Sequence, residues 1–146
     1  PGQVEVPRLL GGAITVRGYP LCMVFAEKIV TAVQRGTVNT RWRDYADIVL
    51  LSAAHDVDGD ELAASIDVVA SHRNATLTPL EEVLAGYAEI AQSKWRAWVR
   101  KLRLTDRLDQ DFASVLQDLF TFAGPAVAGA ITGHTWAHRI RRWMPR

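Results

Sequence analysis

The sequence predicts a mainly α-helical protein: two short N-terminal β-strands followed by a bundle of about five helices. Three observations carry this reading. The first twenty residues mix β-branched side chains with paired Gly and Pro, and from Leu21 onward apolar residues recur at helical spacing. Capping-type residues then punctuate the chain ahead of each apolar run. The 146 residues suffice for one hydrophobic core, with 49% hydrophobic and 23% charged residues in a globular balance.

The strands are expected near Gln3–Val6 and Ala13–Arg17, turning at Gly11–Gly12. Two strands do not stand alone in water, so they need helices or further strands as partners. Residues 1–20 therefore read as the end of a sheet, and residues 21–146 as a helical domain. In the first helix Leu21, Phe25, Ile29 and Ala32 share a face, and Gly36 stops it. Thr40 suits the N-cap of a second helix, Arg41 to about Ala54. A third runs from near Asp60 to near Arg73. Thr78, Pro79 and Glu81 make a capping box for a fourth. Its seam of Leu80, Leu84, Tyr87, Ala91, Trp98 and Leu102 predicts one long helix. A fifth is expected from about Leu108 to Ala123, before a Gly-rich, basic tail.

The bulk numbers also exclude classes. A single cysteine, Cys22, rules out a disulfide framework within the chain and fits a reducing compartment. The stretch Phe120–Ile131 is too short to span a bilayer and no signal peptide is evident, so a cytoplasmic protein without membrane association is expected. There is no Gly-rich phosphate loop followed by Lys-Ser or Lys-Thr. Asp56–Glu61 lacks the Gly and Glu positions of a calcium loop and reads as a helix-capping acidic segment. His134 and His138 have metal-type spacing but no completing ligand nearby, and read as surface residues.

Charge is segregated although the net charge is only +1. Ala54–Ile90 holds eight acids against Arg73. Lys94–Arg107 holds Lys94, Arg96, Arg100, Lys101, Arg103 and Arg107 against Asp106. Such a block can meet RNA phosphates, or it can be a solvated face balancing the acidic segment. Trp95 and Trp98 interleave with it but fall on the apolar seam, which favours core positions.

The sharpest candidate lies on the first two helices. Lys28, Thr31 and Arg35 form a polar stripe beside the core. Asp44 and Asp47, at i and i+3, share a face of the next helix, with Asp44 at its positive end. The short connection Thr37–Thr40 makes these helices neighbours. A cationic stripe then faces two carboxylates. Two readings stay open: a phosphate-binding site, or structural ion pairs in which Arg43 meets Asp47 and Lys28 snorkels from the core.

The run "YPLCMVFAEKIVTAVQRGTVNTRWRDYADIVLL" resembles the AbiEii family of nucleotidyltransferase toxins of type IV toxin–antitoxin pairs, near its actinobacterial MenT-like branch. The segments "AEK…QRG…TRWRDYAD" carry the likeness, and "GPAVAG…GHTW…RRW" extends it toward Trp143. The resemblance implies transfer of a nucleotide from an NTP to RNA, with tRNA as the expected acceptor, and an antitoxin partner. It puts the functional lysine on Lys28, with Arg35 beside it at the nucleotide. The functional aspartate falls on Asp44 or Asp47, with Asp44 preferred. It also implies magnesium, held by a Gly-Ser motif and an Asp-x-Asp pair. This chain has no Gly-Ser dipeptide, and its "DVD" at Asp56–Asp58 follows the lysine motif rather than preceding it. The expectation is therefore a C-terminal portion whose two strands finish a catalytic sheet, with the metal-binding half upstream. A non-catalytic RNA-binding or antitoxin-docking module is the alternative.

Overall fold

The computed structural model describes residues 20–146. Six α-helices and a small antiparallel sheet make up this region: α1 (Leu21–Arg35), α2 (Trp42–Ala54), β1 (Val57–Asp58), α3 (Gly59–Arg73), α4 (Leu80–Val83), α5 (Tyr87–Lys101), α6 (Phe112–Val127), β2 (His134–Ala137) and β3 (Arg142–Pro145). The expected strand pattern is corrected here. The sheet runs β1-β2-β3 and is built mostly from the C-terminal tail, not the N-terminus. The strands expected at Gln3–Val6 and Ala13–Arg17 lie outside the described residues.

Helix α1 stops where expected because Gly36 adopts φ +56°, a conformation that disfavours side chains. The second helix starts one residue later than Thr40 implies. Arg41 takes the cap position without a side-chain cap hydrogen bond. The chain is steered there by Asn39, which is buried to 1% exposure. Its Oδ1 accepts from the Arg41 amide at 2.8 Å, and its Nδ2 donates to the Tyr45 hydroxyl at 2.9 Å. The Tyr87 hydroxyl donates to the Asn39 carbonyl. One buried amide thus sets the entry angle of α2 and satisfies its own polar atoms.

The long fourth helix is also corrected. It breaks into α4 and α5 at Gly86, which sits at φ +78°. The break turns Tyr87 inward to join Trp42, Tyr45, Trp95 and Phe112 in an aromatic cluster. Phe112 is its hub, with ring centroids 4.9 Å from Trp95 and 5.2 Å from Tyr87. The Trp95 indole donates to the Asp109 carbonyl at 2.8 Å, so its one polar atom is paired despite complete burial. Helix α6 begins at Phe112, four residues beyond the expected Leu108, because Leu104 and Leu108 are anchored in the preceding turn.

The tail folds back as a hairpin, with Trp136 opposite Trp143 and Val57 opposite Trp136. Both indoles pack on Phe122 of α6, at 4.9 and 5.5 Å. Their N–H groups donate to the Ser52 and Phe122 carbonyls at 2.7 and 2.9 Å. The acidic segment fastens this hairpin. Asp58 accepts from the Asp60 amide at the start of α3, Asp60 accepts from the Gly133 amide, and Asp56 pairs with His138 at 2.6 Å. Arg146 bridges Asp58 and Asp60. Gly59 permits the close approach. A Cβ there would run into the Ile131 carbonyl and lie 2.6 Å from that of His134. Among the described residues no helix is long and apolar enough to cross a membrane.

Candidate functional site

The packing of α1 against α2 brings Lys28, Asp44 and Asp47 together. The Lys28 ammonium lies 3.2 Å from Asp44 Oδ1 and 3.0 Å from Asp47 Oδ2. The carboxylate side chains retain 7% and 10% of their exposure, and the lysine 22%. Arg41 closes the other side of Asp44, its Nε 2.9 Å from Oδ2. That contact is electrostatic rather than a directed hydrogen bond, so Asp44 Oδ2 is a buried acceptor without a donor aimed at it. Burial pushes the Asp47 carboxyl above its ordinary range, while Lys28 and then Arg43 pull it back down and Asp44 pushes it up. Two lysine N–H groups face the aspartates, and an ammonium has three. The third has no acceptor among the described residues.

The stripe expected on α1 divides. Thr31 is buried, donates to the Glu27 carbonyl at 2.8 Å and accepts from Arg73 Nη1 at 2.8 Å. Arg35 is exposed in the last turn of α1 and makes no ion pair among the described residues. Arg43 and Asp47 do not form the expected i,i+4 pair. Arg41 meets Asp44 instead. Arg41 and Arg73 were both missed by sequence reasoning. The i,i+3 spacing of Arg41 and Asp44 was a usable signal, whereas nothing local links Arg73 to Thr31 across 42 positions.

On α5, Lys94, Arg96, Arg100 and Lys101 are all exposed, as are Arg103 and Arg107 beyond it. None has a carboxylate partner among the described residues, and Arg100 bonds the Gln110 side chain at 2.8 Å. Trp95 is buried and Trp98 stacks on it at 5.5 Å, so these indoles face the core. His134 and His138 stand on and just after β2, not on a helix.

The site does not fit a magnesium ion. Both carboxylates are engaged by Lys28, whose ammonium fills the position a cation would take. No three His, Cys, Asp or Glu side chains group as a metal site among the described residues.

The family model for the nucleotidyl transferase AbiEii toxin of type IV toxin–antitoxin systems matches residues 1–118. The chain belongs to that family. Lys28, Asp44 and Asp47 lie inside the matched span, whereas β2 and β3 lie beyond it. Membership of a toxin family implies an antitoxin partner. No curated protein and no solved structure gives a significant match.

Proposed function

We propose that this AbiEii chain acts in transfer of a nucleotide from an NTP to RNA, with tRNA as the acceptor and Lys28 gripping the nucleotide's phosphate oxygens. The supporting observation is the clasp of Lys28 by two nearly buried aspartates within the family-matched helices. The carboxylates fix the ammonium's direction and reserve one N–H for a phosphate oxygen. In nucleotidyl transfer an acceptor hydroxyl bonds to the α-phosphorus and pyrophosphate leaves. A fixed cation stabilises the negative charge carried by those oxygens. Asp44 and Asp47 act as positioning residues, and Arg35 extends the cationic side along α1. The metal donors that this chemistry calls for are then residues other than Asp44 and Asp47, which Lys28 engages.

The acceptor docks on the basic face of Lys94, Arg96, Arg100, Lys101 and Arg103 through its phosphate backbone. The test is incubation with labelled NTPs, magnesium and total tRNA. Label is expected on the RNA only when the metal-binding half is supplied with this chain, and is expected to disappear when that intact protein carries Lys28→Ala. Incorporation that persists in that variant would remove Lys28 from the site. Replacing Arg96, Arg100 and Arg103 together by Glu is expected to raise the KM for RNA and leave NTP affinity unchanged. An unchanged KM would leave that face as a solvated surface.

A further inference from the structure

Arg73 ends α3 and reaches across to α1, where its Nη1 donates to the Thr31 hydroxyl at 2.8 Å. Thr31 is buried and its own proton is committed to the Glu27 carbonyl at 2.8 Å. The hydroxyl therefore acts purely as an acceptor for the guanidinium. Arg73 is half-buried and has no carboxylate within ion-pair distance among the described residues. A guanidinium carries five donors in a fixed fork. One is spent on Thr31, and the rest have no partner among the described residues. A partly buried cation that is held in place, and that no described carboxylate neutralises, is poised for an external anion.

Its position gives the anion a direction. Thr31 follows Lys28 by one turn of α1, and Arg35 follows Thr31 by one more, so the three positions lie on one helix face. The helix rise puts about 10 Å between the first and last of these positions. Three cations therefore stand in a row: Lys28, Arg73 above Thr31, and Arg35. Among the described residues only Lys28 of the three is matched by carboxylates.

We propose that Arg73 is a second phosphate-binding residue, its fork gripping a neighbouring phosphoryl group of the same triphosphate that Lys28 holds. This rests on the reading of Lys28 given above. The length of the row suits a chain of phosphoryl groups better than a single one.

The test uses the full chain and inorganic tripolyphosphate as probe, followed by calorimetric titration. Arg73→Ala and Arg73→Lys are each expected to weaken binding at least tenfold, the lysine variant because it keeps the charge and loses the fork. Thr31→Val is expected to weaken it several-fold by releasing the guanidinium. Far-UV circular dichroism and the unfolding midpoint establish that each variant is folded. Should Arg73→Ala fail to fold, Arg73→Lys carries the comparison. Unchanged affinity in folded Arg73→Lys and Thr31→Val would overturn the assignment, and the Lys28 reading would stand if Lys28→Ala still abolished binding. Loss of binding in the Arg73 variants but not in Lys28→Ala would sink the Lys28 reading and support Arg73 as an anion site. Absence of tripolyphosphate binding by the wild-type chain would overturn both.

Discussion

Replacing Lys28 by Met keeps the aliphatic stem and removes the ammonium, leaving two aspartates with 7% and 10% side-chain exposure. Asp44 retains Arg41 at 2.9 Å, so the penalty falls mainly on Asp47, which has no other ion pair among the described residues. Stripping one partner from a buried pair costs about 3–5 kcal/mol. Asp47 can limit that cost by taking up a proton. From its ordinary value of 3.8, protonation at pH 7 costs about 4 kcal/mol. The lysine is itself partly solvated, which moves the expected loss to about 2–3 kcal/mol. The sign with pH follows from the same group. An aspartate whose folded pKa is raised contributes stability below its unfolded pKa and loses it as pH rises through the folded value. Removing Lys28 raises that folded value further. The gap between wild type and variant is therefore widest near neutrality and closes as pH falls toward 3.8. Urea unfolding followed by tryptophan fluorescence measures the gap. Adding Asp47→Asn to the variant is expected to restore most of the loss. A gap below about 1 kcal/mol that does not change with pH, with no rescue by the second substitution, would refute the clasp.

Other outcomes follow from the same structure. Phe112→Ala empties the hub of the aromatic cluster and is expected to cost about 3–5 kcal/mol, read by urea unfolding. Gly59→Ala drives a Cβ against the Ile131 and His134 carbonyls, so the hairpin should part from α3, seen as a red shift in Trp136 and Trp143 emission. The Cys22 thiol is pushed up to about 12 by burial, then by Glu61 and Asp58, so thiol reagents near pH 8 should label it only at the rate of unfolding. Asp60 is held below its ordinary range by the Gly133 amide and then Arg146, so Asp60→Asn should speed hydrogen exchange at that amide. Acidification through the folded pKa of Asp60 should do the same in the wild type, because a depressed carboxylate loses its contribution there.

Where helices carry their own apolar seams, the sequence made them readable. Helix α1 and the body of α3 stand where their spacing and capping residues put them. The seam from Leu80 to Leu102 misled because it passes through Gly86 without interruption. Only the left-handed backbone there reveals two helices. The tail strands were illegible for another reason. Each has two to four residues, too few for alternation to register, and their burial comes from Trp136 and Trp143 docking on Phe122 of a different element. The same divide holds at the site. Lys28, Asp44 and Asp47 were legible because two adjacent helices with a short connection must pack, whereas Arg73 arrives from a helix whose sequence says nothing of α1.

Helix α3 is tethered at both ends. Its first turn is tied to the final residue through Asp58, Asp60 and Arg146, and its last residue is tied to α1 through Thr31. Fifteen residues of α-helix form a strut of about 22 Å between these ties. Arg146 and the Thr31 face of α1 are thus mechanically in series. A load on Arg146 therefore acts on one end of that strut, and the guanidinium of Arg73 sits at the other.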